Sequence, residues 1–124
     1  LAIQLDITKP NSIKKMITKI KMKYSRIDGL VNNAVNQGNS NIRKTPFEEL
    51  PLKHWQNAID VNLTGVFLCC QEVGKVMVKQ KNGVIVNISS TYGLVAPDQR
   101  IYGNSGQNSA VFYAATKSGI SEFS

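Results

Sequence analysis

Tyr113 and Lys117 stand four positions apart in "FYAATKSG", residues 112–119, a stretch otherwise made largely of small residues. On a helix that spacing puts both on one face, and the alanines and Ser118 around them leave room for a ligand to approach. A phenol titrates near about 10 and is a poor acid or base at neutral pH, but an adjacent ammonium favours its phenolate form. Such a pair is suited to exchange a proton with a carbonyl or an alcohol. Taken alone, the spacing is equally that of two ordinary residues on a helix surface.

Other polar residues fall where a site would need them. Three short apolar runs, "LAIQL" at 1–5, "IDGLVNNA" at 27–34 and "GVIVNIS" at 83–89, carry Asp6, then Asn32 and Asn33, then Ser89 and Ser90 at their carboxyl ends. Ligands of open parallel sheets bind beyond those ends. Aspartate, asparagine and serine also start turns, so the weight lies in the three ends together. Asn62 is a different signal. It sits on the apolar stripe traced by Trp55, Ile59, Val66, Cys70, Val73 and Met77. A buried amide costs about 1–3 kcal/mol if unpaired, so Asn62 must find partners or distort its helix. Gly65 weakens that helix further.

The elements that must carry these residues follow from periodicity. A first helix is expected from Pro10 to Tyr24, with Thr8 as N-cap and Pro10 in the first turn. A second runs from Leu52 or Lys53 to about Lys79 and stops at "KNG"; a third starts near Ala110. Three strands alternating with three helices predict parallel βαβ units in an open, doubly wound α/β sheet, with the third run buried on both faces. Two polar loops, 35–46 and 91–109, are long enough to be functional or mobile.

Composition bounds the rest. At 124 residues the chain is one domain at most. It opens "LAIQLD", without methionine and directly on a strand-like run, as expected of the middle of a longer polypeptide. The hydrophobic share of 42% and charged share of 19% are ordinary for a globular protein. No unbroken apolar run suggests a membrane span, and no metal site is expected. The adjacent Cys69 and Cys70 cannot form an ordinary disulfide, which suits a reducing, cytoplasmic setting. Of the +7 net charge, seven basic residues fall in the first 26 positions against Asp6 alone. There Ile13, Met16, Ile17, Ile20 and Tyr24 recur at helical spacing, which leaves the lysines on a solvated face rather than a nucleic-acid patch.

In order, "LDIT", "IDGLVNNA", "VNLTGVF", "GVIVNISS" and "YAATK" resemble the short-chain dehydrogenase/reductase family over nearly the whole chain. The resemblance implies a Rossmann-type fold and an oxidoreductase that moves a hydride between NAD or NADP and a carbonyl or alcohol substrate. It implies that Asp6, with the backbone at Ile7, meets the adenine ring, and that Asn32, Asn33 and Ala34 form the turn lining the cofactor. It makes Asn62 a holder of the water that links the lysine to solvent, Ser90 the substrate-orienting hydroxyl with Ser89 as alternative, and Tyr113 the general acid/base. Lys117 then favours the phenolate and binds the nicotinamide ribose. A homodimer or homotetramer is also implied, because the family's two long helices commonly pack across subunits.

Departures are equally specific. Val35 stands where the family usually has glycine, and about ten extra residues separate Ser90 from Tyr113. That insertion, with Asp98, Arg100, Tyr102 and Asn104, is expected over the site mouth as a selectivity element. No G-x-G-x-x-G occurs, so residues 1–124 are expected to be the central part of a single Rossmann-type domain, inactive by themselves. Two other classes stay open: a catalytically silent Rossmann-like module for oligomerisation or ligand sensing, and a sugar-nucleotide epimerase or dehydratase. The intact Asn62, Ser90, Tyr113 and Lys117 set argues against the first, and "NNA" with "VNLTG" against the second.

Overall fold

In the structure, a computed structural model, residues 1–123 are described. Helix α1, Pro10–Tyr24, follows an extended entry in which Ile3, Leu5 and Ile7 point inward and alternate with exposed residues. Thr8 does not cap α1. Its amide and hydroxyl both donate to Asp6 Oδ1, at 2.9 and 2.7 Å, so Asp6 closes a local turn and Lys9 takes the cap position. Ile13 and Ile17 are buried and the lysines are exposed, while Tyr24 lies on the surface with the Lys23 ammonium 5.4 Å from its ring centre.

Strand β1, Gly29–Asn32, pairs in parallel with β2, Val84–Asn87, placing Asn32 opposite Asn87. The described residues thus contain two paired strands where three were expected. Residues 1–5 keep the strand alternation, but no neighbouring strand among the described residues supplies ladder hydrogen bonds. Leu30 and Ile85 pack on the core of α1 and the long crossover helix, whereas Val31, Val84 and Val86 are exposed. Among the described residues both helices packed on the strands lie on one side of the sheet, so the face carrying Val84 and Val86 is uncovered here.

The crossover comprises α2, Leu52–Ile59, a π-helical segment, Asp60–Gly65, and α3, Val66–Gln80. Its 29 continuous residues are long and apolar enough to cross a bilayer. Its buried residues nevertheless form a stripe, Ala58, Asn62, Val66, Cys69, Val73 and Met77, that packs inside the domain. The extra residue per turn in the π segment rotates the helix that follows. Within α3, Cys69 rather than Cys70 lies in the core, three residues after Val66 and four before Val73. Helix α4, Val111–Ser121, packs on α2 and on the π segment. Gly119 permits that approach, because a Cβ there would stand 2.8 Å from a Leu63 methyl.

Candidate active site

Asn62 both finds partners and distorts its helix. Its side chain is almost wholly buried and forms a reciprocal pair with one residue of the loop after β1: the Asn36 amide donates to Oδ1 at 2.6 Å, and Nδ2 donates to the Asn36 carbonyl at 2.9 Å. Nδ2 also reaches the Thr116 hydroxyl, 3.3 Å away on α4. Thr116, fully buried, shares its own proton between the carbonyls of Phe112 and Tyr113, at 2.8 and 3.0 Å. One chain of hydrogen bonds therefore ties the loop holding Val35 to the helix turn holding Tyr113. The π geometry is the local accommodation that leaves Asn62 inward on an otherwise apolar stripe.

The two serines after β2 have different tasks. Ser89 Oγ donates to the Lys117 carbonyl at 2.9 Å and lies 3.0 Å from Ser121 Oγ, so it fastens β2 to α4. Ser90 caps the 3-10 turn Thr91–Gly93 by accepting from the Tyr92 amide at 3.2 Å, and its hydroxyl lines a cavity of about 500 Å³ together with Tyr113. Gly93 brings that turn onto α4. A Cβ there would stand 2.6 Å from Ser89 Oγ and 2.8 Å from the Lys117 carbonyl.

Lys117 is 4% exposed. Its ammonium donates to the Ile88 carbonyl and lies 5.8 Å from the centre of the Tyr113 ring. Burial without a carboxylate partner pushes its pKa down. An ammonium has three donors, and the Ile88 carbonyl takes one. The cation is thus held beneath the phenol by the end of β2, next to the serine turn.

The residues expected to face a cofactor are more open. Asn33 and Ala34 are exposed past the carboxyl end of β1, and Asn32 is turned back into the sheet, donating to Asn87 Oδ1 at 2.9 Å and to Cys70 Sγ at 3.3 Å. Asp6 is exposed, and hydrogen bonds from Thr8 hold its carboxyl below the usual range. Ile7 lies against Gly65, where a Cβ would come within 2.8 Å of its side chain. Burial pushes the Cys69 thiol up to about 11 and raises Cys70 as well, so neither is an activated nucleophile.

Of the insertion residues singled out from the sequence, only Tyr102 lines the cavity. Asp98 and Arg100 close on each other, with Nη2 and Oδ2 2.7 Å apart, and Asp98 also caps the Arg100 amide at 3.0 Å. Acid and base two residues apart in a turn satisfy one another locally. Asn104 is exposed, outside the cavity lining. Sequence reasoning missed Arg43, Gln107 and Asn108, which do line it, and Thr116. Polar residues in long loops carry no periodic signal; Thr116 could have been noticed as the polar residue one turn from Tyr113 on its buried side.

Parallel strands joined by a crossover helix, with polar groups gathered past the strand ends, define a Rossmann-type α/β protein with a candidate site beyond those ends. The sequence matches the short chain dehydrogenase family over residues 1–124, and the chain belongs to that family. It is 40% identical over 123 residues to a 3-oxoacyl-[acyl-carrier-protein] reductase of Synechocystis sp., covering 99% of this chain and 44% of that protein. It is 38% identical over 101 residues to an NAD-dependent glycerol dehydrogenase of Listeria innocua, covering 82% and 38%. The solved structure of ElxO with NADP bound superposes with a TM-score of 0.80 at 29% identity, covering 97% of this chain and 43% of that one. The chain thus spans less than half the length of the proteins it matches.

Proposed function

We propose that this chain is the central part of a nicotinamide-dependent oxidoreductase in which Tyr113 exchanges a proton with the oxygen of a carbonyl or alcohol. The supporting observation is that Tyr113 and Ser90 line one cavity while the Lys117 ammonium sits 5.8 Å from the phenol ring. Relatives named as a 3-oxoacyl carrier-protein reductase and an NAD-dependent glycerol dehydrogenase favour the same chemistry, reduction of a ketone or oxidation of a secondary alcohol.

The exposed Asp6, Asn33 and Ala34 fit a dinucleotide laid past the strand ends, with Ile7 beside the adenine and the free donors of Lys117 toward the ribose. NAD or NADP, when bound, supplies or accepts the hydride. Ser90 holds the substrate oxygen by hydrogen bond, and the Tyr113 O–H gives its proton to that oxygen as it gains charge. The fixed positive charge of Lys117 stabilises the phenolate left behind, and Asn62 holds the helix turn beneath through Thr116. A homodimer or homotetramer belongs to the same reading, supported by exposed Leu52, Phe67 and Val78 on the crossover helix.

The test is reduction of ethyl acetoacetate by the full-length polypeptide carrying this chain, with NADH and with NADPH. Tyr113→Phe should lower turnover by about 10²- to 10⁴-fold. Cofactor affinity by calorimetry should stay within a few-fold of the parent. Unchanged turnover in the phenylalanine variant removes Tyr113 from the proton step.

A further inference from the structure

We propose that Arg43 is a carboxylate-recognition residue, and that the substrate of this site is a small oxo acid or the corresponding hydroxy acid. The inference rests on the proposed roles of Ser90 and Tyr113 and adds what lies across from them. The 500 Å³ cavity that they line is open to solvent and is lined as well by Tyr92, Tyr102, Gln107 and the exposed Arg43, among others. Arg43 is the one charged residue in that lining, and no acid is present there to neutralise it. Among the described residues Arg43 makes no ion pair, in contrast to Arg26 and Arg100, each closed on an aspartate two positions away.

Its backbone is fixed from both loops. The Arg43 amide donates to the Asn39 carbonyl at 3.1 Å, the Asn108 amide donates to the Arg43 carbonyl at 2.9 Å, and Asn108 Nδ2 donates to the Thr45 carbonyl at 3.0 Å. The two long loops are stitched together at the residue that carries the charge. An arginine without an ion-pair partner, lining the same cavity as the Ser90 and Tyr113 hydroxyls that can take a carbonyl oxygen, suits a molecule with a carboxylate at one end and a ketone at the other. A guanidinium presents two parallel donors to the two oxygens of a carboxylate, a geometry a neutral ester or amide cannot use as well. The volume suits a small molecule. In the reductive direction the ketone carbon takes a hydride and its two electrons from reduced nicotinamide, the oxygen takes the Tyr113 proton, and the products are the hydroxy acid and oxidised nicotinamide.

The experiment compares pyruvate, acetoacetate and levulinate with their ethyl esters as substrates of the full-length protein, in the parent, Arg43→Gln and Arg43→Lys. The best acid should be preferred over its ester in the parent. In Arg43→Gln that preference should fall about ten- to hundredfold, carried by KM, while turnover of the ester stays level. Arg43→Lys should recover part of it. Equal acid-to-ester ratios in the parent and Arg43→Gln overturn the assignment even if reduction of esters upholds the oxidoreductase reading. Should no carbonyl be reduced, that reading fails, and calorimetric binding of the three acids decides the inference separately. Binding lost in Arg43→Gln supports carboxylate recognition, and binding that is absent or unchanged overturns it. Circular dichroism of Arg43→Gln checks that the loops still fold.

Discussion

Two amides on the crossover helix make the same pair of bonds and pay for it differently. Gln80, at the end of α3, accepts from the Ile27 amide at 3.0 Å and donates to the Ile27 carbonyl at 2.8 Å. Asn62 does the same to Asn36 from the middle of the helix. At a helix end, where main-chain groups are already unpaired, a long side chain can reach the neighbouring strand and leave the helix regular. In the interior, a short amide that must be wholly buried requires the π segment. Helix α3 is therefore regular as far as Gln80, and the crossover helix leaves α geometry only in the segment that carries Asn62.

The contrast predicts unequal losses. Asn62→Leu keeps the size but leaves the Asn36 amide and carbonyl without partners, at about 1–3 kcal/mol for each group, so a total near 3 kcal/mol is expected. Gln80→Leu removes the matching bonds from a half-buried rather than a wholly buried side chain, and about 1 kcal/mol is expected. Denaturant unfolding of both variants measures the difference. Equal losses would mean that burial, not the bonding pattern, has been misjudged.

Lys117 extends the comparison to charge. Its depressed pKa means that the folded state disfavours the ammonium, so folding bears a cost that is fully present at pH values below the folded pKa. The cost is relieved as the pH rises through that value toward the ordinary lysine range. Lys117→Met removes the titration and should abolish proton transfer. The thermal midpoint of the parent should gain on that of the variant as pH climbs from neutral into the alkaline range. A difference that is flat with pH would show that folding leaves the amine titrating as it does in the unfolded chain.

How much of this was legible depended on whether a residue's task is periodic. Ile13, Ile17, Val73 and Met77 announce α1 and α3 because a buried stripe recurs every three or four residues. Tyr113 and Lys117 were visible for the same reason, one helical turn apart, and Asn62 because it broke a stripe. The π segment was legible only as a dilemma, since partners for Asn62 come from Asn36 and Thr116, remote in sequence. Ser89 and Ser90 were separated only by the resemblance, which put Ser90 first; that Ser89 faces α4 depends on the course of the chain after β2. Arg43 was invisible because a loop arginine is ordinary until another loop closes opposite it.

The smallest effect separates the two regions most cleanly, because one substitution should change sign between them. Gly74 lies within α3, and a Cβ added there would meet nothing within 4 Å. Gly74→Ala should stabilise the protein by up to about 1 kcal/mol through helix propensity, with turnover unchanged. At Gly93 the objection to a Cβ is contact rather than backbone conformation: it would press on Ser89 Oγ and on the Lys117 carbonyl, and the latter is main chain that cannot rotate away. Gly93→Ala should therefore lower the thermal midpoint and, by moving the Ser90 turn off α4, reduce turnover as well. If Gly93→Ala instead matched Gly74→Ala in both stability and turnover, the close seat of the serine turn on α4 would have no part in holding Ser90 beside Tyr113.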